Sequence, residues 1–529
     1  MGLIAPLTAP LYAPAAMPRP PQKLLDALAA LLGPKGFTAD PEAMAPWLTD
    51  WRGRFHGRAA ALLAPDTPEQ VAMAVTLCAA AGTPLVPQGG NTSMVGGATP
   101  DASGEALIVS LRRMNRIRAL DAAANLAVCE AGVILAELHE AALGEGRRFP
   151  LTLGAKGSAT IGGLVSTNAG GTQVLRFGTM RSLVQGIEAV LPDGSLFDGL
   201  APLRKDNRGY NLAQLLIGAE GTLGIVTAAS LRLVPAVGAR AVAWAGFAAP
   251  DAGMRLLRHL EAALGDAVES FELIPASSLE LVLAHIPGTR APLADRHAWY
   301  ALIEAVAPTA APGPEPALYE GLRSALEIGI VADATIAASE AQAKALWRLR
   351  DSISEAEKKD GPAAKHDISV AVADMPRFVV EAARAVEARF PGTRVLAFGH
   401  LGDGNIHFNV RAPEAAAVDW PEREGAAATR FVHDLVAAAG GSISAEHGIG
   451  RMKRAELARL AGPARLGAMR AIKRALDPDG IMNPGVLVPP ADETGDGPFG
   501  NAQDGPFDDA QDGPFDNAQD GLAEKARRQ

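Results

Sequence analysis

The sequence predicts a multidomain protein that mixes helices and strands, an α+β fold. Three observations carry this. The chain has 529 residues, 48% hydrophobic and 20% charged, enough for two to four domains at roughly 100–200 residues each and too apolar for wholesale disorder. Between Gln22 and Pro489, short strand patterns bounded by Gly and Pro alternate with helical periodicity. At Pro235 the texture changes from glycine-rich loops and short strands to longer helices. A domain boundary near 235 follows, with 424–489 as a mainly helical closing segment.

The elements follow in order. Thr67-Pro68-Glu69-Gln70 reads as an N-cap, Pro at the first helical position and Gln at the third. The helix it opens carries Val71, Val75 and Cys78 on one face and stops at Gly82. Strands are expected at 84–87, 106–111 and 126–131. The Asp193-Gly194 turn joins 186–192 and 195–198 in a hairpin. A strand over 225–234 closes the first half. In the second half helices are expected at 252–265, 317–328, 339–358, 374–389 and 424–439, with a Pro-rich loop at 307–316.

The two ends read differently. Residues 1–21 are apolar but broken by six prolines, a floppy leader without the basic start of a signal peptide. From Asp496 the chain repeats every eight residues (Pro498-Phe499, Pro506-Phe507, Pro514-Phe515), a polar, low-complexity composition that predicts a disordered tail over 490–529. That tail holds ten Asp/Glu against three Lys/Arg, and Arg19 adds one positive charge to the leader. Residues 22–489 therefore carry −4 of the net −10. The acidic balance argues against a polyanion-binding protein. Cys78 and Cys129 are too few for a disulfide framework or a thiolate metal site and read as buried free thiols. No run of about 18 apolar residues predicts a membrane span, so a cytoplasmic protein is expected.

Three glycine-rich segments lie in the first half, at 88–97, 153–171 and 218–224. Glycine lets backbone N–H groups converge on a phosphate, and Thr92, Ser93, Ser158 and Thr160 add hydroxyls. None matches Gly-x-Gly-x-x-Gly after a strand or a P-loop, which disfavours both a Rossmann NAD site and a P-loop and points to another cofactor.

The segments Pro87-Gln-Gly89-Gly90-Asn91-Thr92-Ser93-Met-Val-Gly-Gly97, Leu153-Gly154-Ala-Lys-Gly157-Ser158, Thr167-Asn168-Ala-Gly-Gly171, Arg176-Phe-Gly178 and Gly218-Ala-Glu220-Gly221-Thr-Leu-Gly224-Ile225-Val-Thr227 resemble the FAD domain of the vanillyl-alcohol oxidase/PCMH flavoproteins. Within these the chain is similar to the FAD-linked D-2-hydroxy acid dehydrogenases, which act on D-2-hydroxyglutarate, D-lactate or glycolate. The resemblance runs over roughly 45–489. It implies a PCMH-type two-subdomain FAD-binding domain over 22–235, an α+β substrate or cap domain over 236–423, and a segment over 424–489 that completes the site. It implies FAD held by those motif residues together with Thr160 and Gly163. Asn91 stands where some relatives tether flavin to His, which implies non-covalent FAD.

In the second half, His400-Leu-Gly-Asp-Gly-Asn-Ile-His407-Phe-Asn409 reads as two strands around a glycine turn, with His407 and Asn409 on one face. Two His flanking a turn, with an oxygen ligand from Glu446, form the ligand set of a catalytic Zn²⁺ or a non-haem Fe(II). Glu446-His447 follows His407 by 39 residues, so spacing alone does not bring it near. The resemblance does, matching His400, His407 and Glu446 to metal ligands with Asn409 and His447 beside them. Arg350 and Ser354, four residues apart, share a helix face that Gly361-Pro362 ends, and Lys365 can fold back. A guanidinium, a hydroxyl and an ammonium suit a carboxylate, and the family's carboxylate-binding Arg and Lys match Arg350 and Lys365. Its hydroxyl residue is usually Thr, here Ser354.

The expected reaction is oxidation of D-2-hydroxyglutarate to 2-oxoglutarate, with hydride passing to flavin, His447 as the base and Zn²⁺ or another divalent metal on the substrate oxygens. D-lactate or glycolate is the alternative on the same scaffold. Two readings of other classes stay open at this point. One is a metal-dependent hydrolase, which needs the His and Glu but no flavin; the other is an interaction protein using its acidic tail. Expected partners are a small 2-hydroxy acid, an electron acceptor such as electron-transfer flavoprotein or a quinone, and a second copy in a homodimer.

Overall fold

The computed structural model describes residues 19–203 and 205–490. The predicted leader and tail fall almost wholly outside these residues. The first half holds two main sheets and a two-stranded one of Arg147–Arg148 with Val234–Pro235. In the smaller one Ala61–Leu63, Leu107–Ser110 and Leu85–Gln88 run parallel, with Phe37–Thr38 antiparallel at the edge. The first two of these parallel strands are wholly buried, as continuous apolar runs in a parallel sheet require. Gln22–Gly36 and Pro68–Ala81 pack on this sheet. The second of these helices forms as its sequence demands: Thr67 Oγ1 accepts from Gln70 N–H, and Gly82 closes it at φ 60°. The larger sheet is antiparallel in the order Ile117–Asp121, Leu126–Glu130, Ile225–Arg232, Val184–Val190, Leu196–Gly199, and the last two strands are the expected hairpin around Gly194. Cys78 and Cys129 are free and buried, and burial pushes both thiols up to about 12.

The second half is built on one antiparallel sheet of seven strands. Its order is Asp333–Ile336, Val237–Phe247, Trp299–Pro308, Val268–Pro275, Arg394–His400, Asn405–Arg411, Ala363–Ser369. Strand periodicity gives the sheet two faces. One carries Phe271, Leu273, Ala397, Ile406 and Phe408 into a large core with helices Pro250–Leu264, Met375–Arg389 and Glu424–Ala438. The other packs Trp244, Ile274, Leu302 and Phe398 under Ala276–His285 and the 340–360 segment. That second face is apolar at one end of the sheet only.

The chain end returns to the first half. Leu85 N–H donates to Ile481 O and Asn483 N–H to Leu85 O, both at 2.8 Å. Lys473 Nζ donates to Thr222 O at 2.7 Å. One expected element differs: 339–358 is two helices, Glu340–Asp351 and Ile353–Asp360, meeting at Ser352. Asp351, Ser352, Ile353 and Ser354 are all weak helix formers, and their clustering explains the break. No helix among the described residues is long and apolar enough to cross a membrane.

Candidate active site

The loop after Leu85–Gln88 lies directly on the segment that leads into helix Ile161–Thr167, and only glycine permits it. A Cβ on Gly90 would stand 1.8 Å from Ser158 O, and one on Gly89 2.4 Å from Thr160 Oγ1. Beside this contact opens a cleft lined by Pro87, Gly89, Ser93, Thr160, Gly163, Glu220, Gly221, Gly224, Ile225 and His447 among others. Thr160 Oγ1 is buried there without a partner, a free hydroxyl for a polar cofactor. Small residues, hydroxyls and closely approached backbone fit FAD.

The other predicted cofactor residues lie around this lining. Asn91 has φ 52°, and its Nδ2 donates to Thr49 O at 2.8 Å and Pro46 O at 3.3 Å. Thr92 is half-buried next to it. Asn168 closes helix Ile161–Thr167, and its Oδ1 accepts from Arg181 N–H at 2.9 Å and Thr179 Oγ1 at 3.0 Å. Gly171 fits against Thr152, where a Cβ would meet the carbonyl oxygen at 2.2 Å. Leu153 is half-buried, whereas Gly154, Gly157 and Ser158 are exposed.

On the seven-stranded sheet, the second face turns polar at the strands Arg394–His400, Asn405–Arg411 and Ala363–Ser369. Alternation brings Glu272, Phe398, His400, His407, Asn409, Lys365 and Asp367 to one face, and the register puts them in rows. Glu272 is opposite His400; Phe398, His407 and Asp367 stand in line; Lys365 is opposite Asn409. The two imidazoles meet edge to face with centroids 5.6 Å apart. His400 Nδ1 is 2.5 Å from Glu272 Oε1, and its Nε2 is 3.8 Å from Glu446 Oε1. One possible ligand atom each from His400, His407 and Glu446 lies within 4.8 Å of the others. Ligands at about 2.0–2.2 Å from one ion satisfy that spacing, and a carboxylate behind a ligating His is the usual support. The three therefore fit a divalent cation.

Asp367, Glu446 and His447 also come within 4.8 Å, but Asp367 is engaged. Its Oδ2 accepts the backbone N–H groups of Glu446 and His447 at 2.9 Å each, and its Oδ1 accepts Asn405 Nδ2 at 2.9 Å. Glu220 holds the same loop from the other half of the chain, accepting from Ile449 N–H and Gly450 N–H at 2.8 Å. These two carboxylates hold His447 against the cofactor cavity, with Nδ1 3.4 Å from Asp367 Oδ2.

The electrostatics follow from burial and neighbours. Burial pushes His400 down, but Glu272 outweighs it and lifts the imidazole to about 9. Burial, with Arg350 and His400, drives His407 down to about 3. Burial raises Glu446 to about 7, against the pull of His400 and with the push of Asp367 and Asp403. His447 is lowered by burial, with Asp367 partly opposing. His407 and His447 are thus neutral at pH 7.

Arg350 Nε donates to Glu272 Oε2 at 2.8 Å, and its guanidinium carbon lies 5.5 Å from the Phe398 ring centre. Lys365 Nζ donates to Glu357 Oε2 at 2.8 Å, and Asn409 Nδ2 reaches both oxygens of Glu357 at 2.8 and 2.9 Å. Arg350 donates to Glu272, and Ser354, past the break at Ser352, is exposed. Glu272 and Glu357, both fully buried, were not anticipated from the sequence. An acidic residue inside the apolar strand Val268–Pro275 was a usable signal for the first. Glu357, in an ordinary charged helix, gave none.

Comparisons with known proteins identify the family and the fold. Residues 59–199 match the FAD binding domain family, and residues 238–487 match the C-terminal domain of FAD linked oxidases. The chain is 38% identical to the mitochondrial D-2-hydroxyglutarate dehydrogenase of Bos taurus, covering 88% of this chain and 84% of that protein. It is 37% identical to the D-2-hydroxyglutarate dehydrogenase of Xanthomonas citri pv. viticola, covering 87% and 94%. Among solved structures, 4-ethylphenol oxidase from Gulosibacter chungangensis superposes with a TM-score of 0.66 at 18% identity, covering 89% of this chain and 97% of that one. p-Cresol methylhydroxylase gives 0.64 at 16%, covering 88% and 96%. These two show the shared PCMH-type fold.

Proposed function

This chain belongs to the FAD-linked D-2-hydroxy acid dehydrogenases, an FAD-dependent oxidoreductase, and from that membership we propose that it oxidises D-2-hydroxyglutarate to 2-oxoglutarate with a divalent metal, zinc, at His400, His407 and Glu446. One observation carries the reading. The three possible metal ligands lie within 4.8 Å of each other on the sheet face that also bears Lys365 and Asn409, next to a His447 that lines the cofactor cavity.

When bound, FAD supplies a two-electron acceptor for the substrate α-hydrogen, and a divalent cation supplies Lewis acidity that lowers the pKa of the substrate hydroxyl. The rest is done by the chain. His447, neutral near pH 7, takes the hydroxyl proton. Asp367 and Glu220 fix the backbone on either side of it, so its ring is positioned before substrate enters. Arg350 gives one N–H to Glu272 and keeps its remaining donors for the α-carboxylate. Lys365 and Asn409, gathered by Glu357, offer donors to the rest of the substrate. Gly89 and Gly90 let the cofactor loop close on Thr160, and non-covalent FAD suits Asn91, whose amide cannot form the His-type tether.

Anaerobic titration of the FAD-loaded protein tests this. D-2-hydroxyglutarate is expected to bleach the oxidised flavin and the L-enantiomer not. Chelation is expected to slow bleaching, and added Zn²⁺ to restore it. Failure of every D-2-hydroxy acid to reduce the flavin overturns the reading.

A further inference from the structure

Arg350 and Lys365 are the cations that sequence reasoning offers to a substrate carboxylate, yet each is already matched by a buried carboxylate at 2.8 Å, Glu272 and Glu357 respectively. A dicarboxylate entering the site meets little uncompensated positive charge from the sheet. The unmatched charge comes from the far end of the chain. Asp50, itself buried, builds a tight turn: its Oδ1 accepts from Arg54 N–H and Phe55 N–H at 2.6 Å each, and its Oδ2 from Arg52 N–H at 3.1 Å. Gly53 takes φ 66° within it.

The turn is pinned on both sides of the site. On the cofactor side Asn91 Nδ2 donates to Thr49 O at 2.8 Å. On the substrate side Lys358, the neighbour of Glu357, lies 5.4 Å from the Trp51 ring centre, and Arg54 comes within 3.8 Å of Glu422. Between these anchors Arg52 is half-buried, and its guanidinium has no hydrogen bond or ion pair with any described residue. The anchors bring the turn to Lys365, because Trp51 lies against Lys358 and the adjacent Glu357 binds Lys365 Nζ at 2.8 Å; the Arg52 charge adds to burial in lowering the proton affinity of Lys365 and His447. Burial and Arg54 pull Arg52 down to about 10, so it remains charged at neutral pH. Asp50 makes no ion pair with it, its oxygens accepting backbone N–H groups, and its charge only partly offsets that lowering.

We propose that Arg52, beside Lys365, receives the second, distal carboxylate of a dicarboxylic 2-hydroxy acid and selects that class over monocarboxylates. A planar fork of donors matches a carboxylate. An anion between Arg52 and Lys365 also removes the repulsion of two like charges held close together. The assignment rests on the D-2-hydroxy acid reading above.

The test compares wild type, Arg52→Ala and Arg52→Lys as FAD-loaded full chains, each with D-2-hydroxyglutarate and D-lactate. Binding of 2-oxoglutarate and of pyruvate is read separately, from the perturbed flavin absorption. In Arg52→Ala, kcat/KM for D-2-hydroxyglutarate is expected to fall about tenfold to a hundredfold, as loss of a charge-assisted bond predicts, and 2-oxoglutarate binding to weaken in parallel. D-lactate turnover, pyruvate binding and FAD content are expected to hold within about twofold, and Arg52→Lys to recover part of the loss. Equal losses for both acids, loss of FAD, or no change with D-2-hydroxyglutarate overturns the assignment and leaves the reaction standing. If wild type oxidises neither acid, the functional reading fails first and the assignment falls with it.

Discussion

On the cofactor side of the site the close approaches are made by backbone: Gly90 faces Ser158 O, and Gly171 faces Thr152 O, with no room for a Cβ. On the sheet side nearly every contact is between charged or polar side chains, with Glu272 gathering Arg350 and His400 and Glu357 gathering Lys365 and Asn409. The two sides therefore fail differently. A backbone cradle is broken by added volume and is indifferent to charge. A charged face is broken when one partner of a buried pair is lost, because the other is left uncompensated. His447 stands at their junction, held by one carboxylate from each, Asp367 and Glu220.

The largest effect is expected at that junction. His447→Gln should slow flavin reduction by about 10²–10⁴-fold, the span of a lost general base, while flavin absorbance shows FAD still bound. Loss of FAD together with activity would merge the two sides into one unit. Next comes the charged face alone. Glu272→Gln takes the carboxylate from both Arg350 and His400, and metal analysis with add-back titration should show metal affinity or activity reduced about 10–100-fold. An unchanged metal content at limiting zinc would remove Glu272 from the site's support. On the cradle, Gly90→Ala should cost about 1–3 kcal/mol by overpacking and lower FAD content, whereas Gly157→Ala, whose Cβ would meet nothing within 4 Å, should leave thermal stability nearly unchanged. Equal destabilisation by both would mean that the approach at Gly90 is not tight.

The same contrast explains what the sequence made legible. Local chemistry shows through: Thr67-Pro68 opens its helix, Asp193-Gly194 its hairpin, and the glycines of 401–404 turn the chain between His400 and His407. The cradle was readable because a backbone site needs glycines at particular places, and those glycines form long motifs. Glu446 joined the two His only through the family resemblance, since 39 residues separate it from His407. Glu272 left only a local trace, an acidic residue within a strand, and its pairing was not readable. Its partner His400 is 128 residues away, and only the pairing of Val268–Pro275 with Arg394–His400 brings them together. Arg350 and Lys365 were found, but not that each is already ion-paired, and Ser354 was placed with them on a helix that breaks at Ser352.

The smallest effect is the most diagnostic of how the junction is held. The proposed reaction needs His447 neutral, and burial lowers its pKa from the ordinary 6.5. The kcat/KM profile should therefore be flat above that value and fall as pH drops through the lowered one. Asp367 opposes the shift, whereas Lys453 and Arg52 add to it. Removing the negative charge in Asp367→Asn should move the acid limb to lower pH, because less then stabilises the imidazolium. Removing the positive charge in Arg52→Ala should move it to higher pH. Lys453, whose Nζ donates to Ile443 O at 2.7 Å, and Glu446, within 4.8 Å of the ring, are further titratable groups near it and are the same residues in both variants. Opposite displacements require that both charges act on one ring, which couples the turn at Arg52 to the sheet at Asp367 through His447. A limb that moves the same way in both variants, or in neither, would assign the proton to another group.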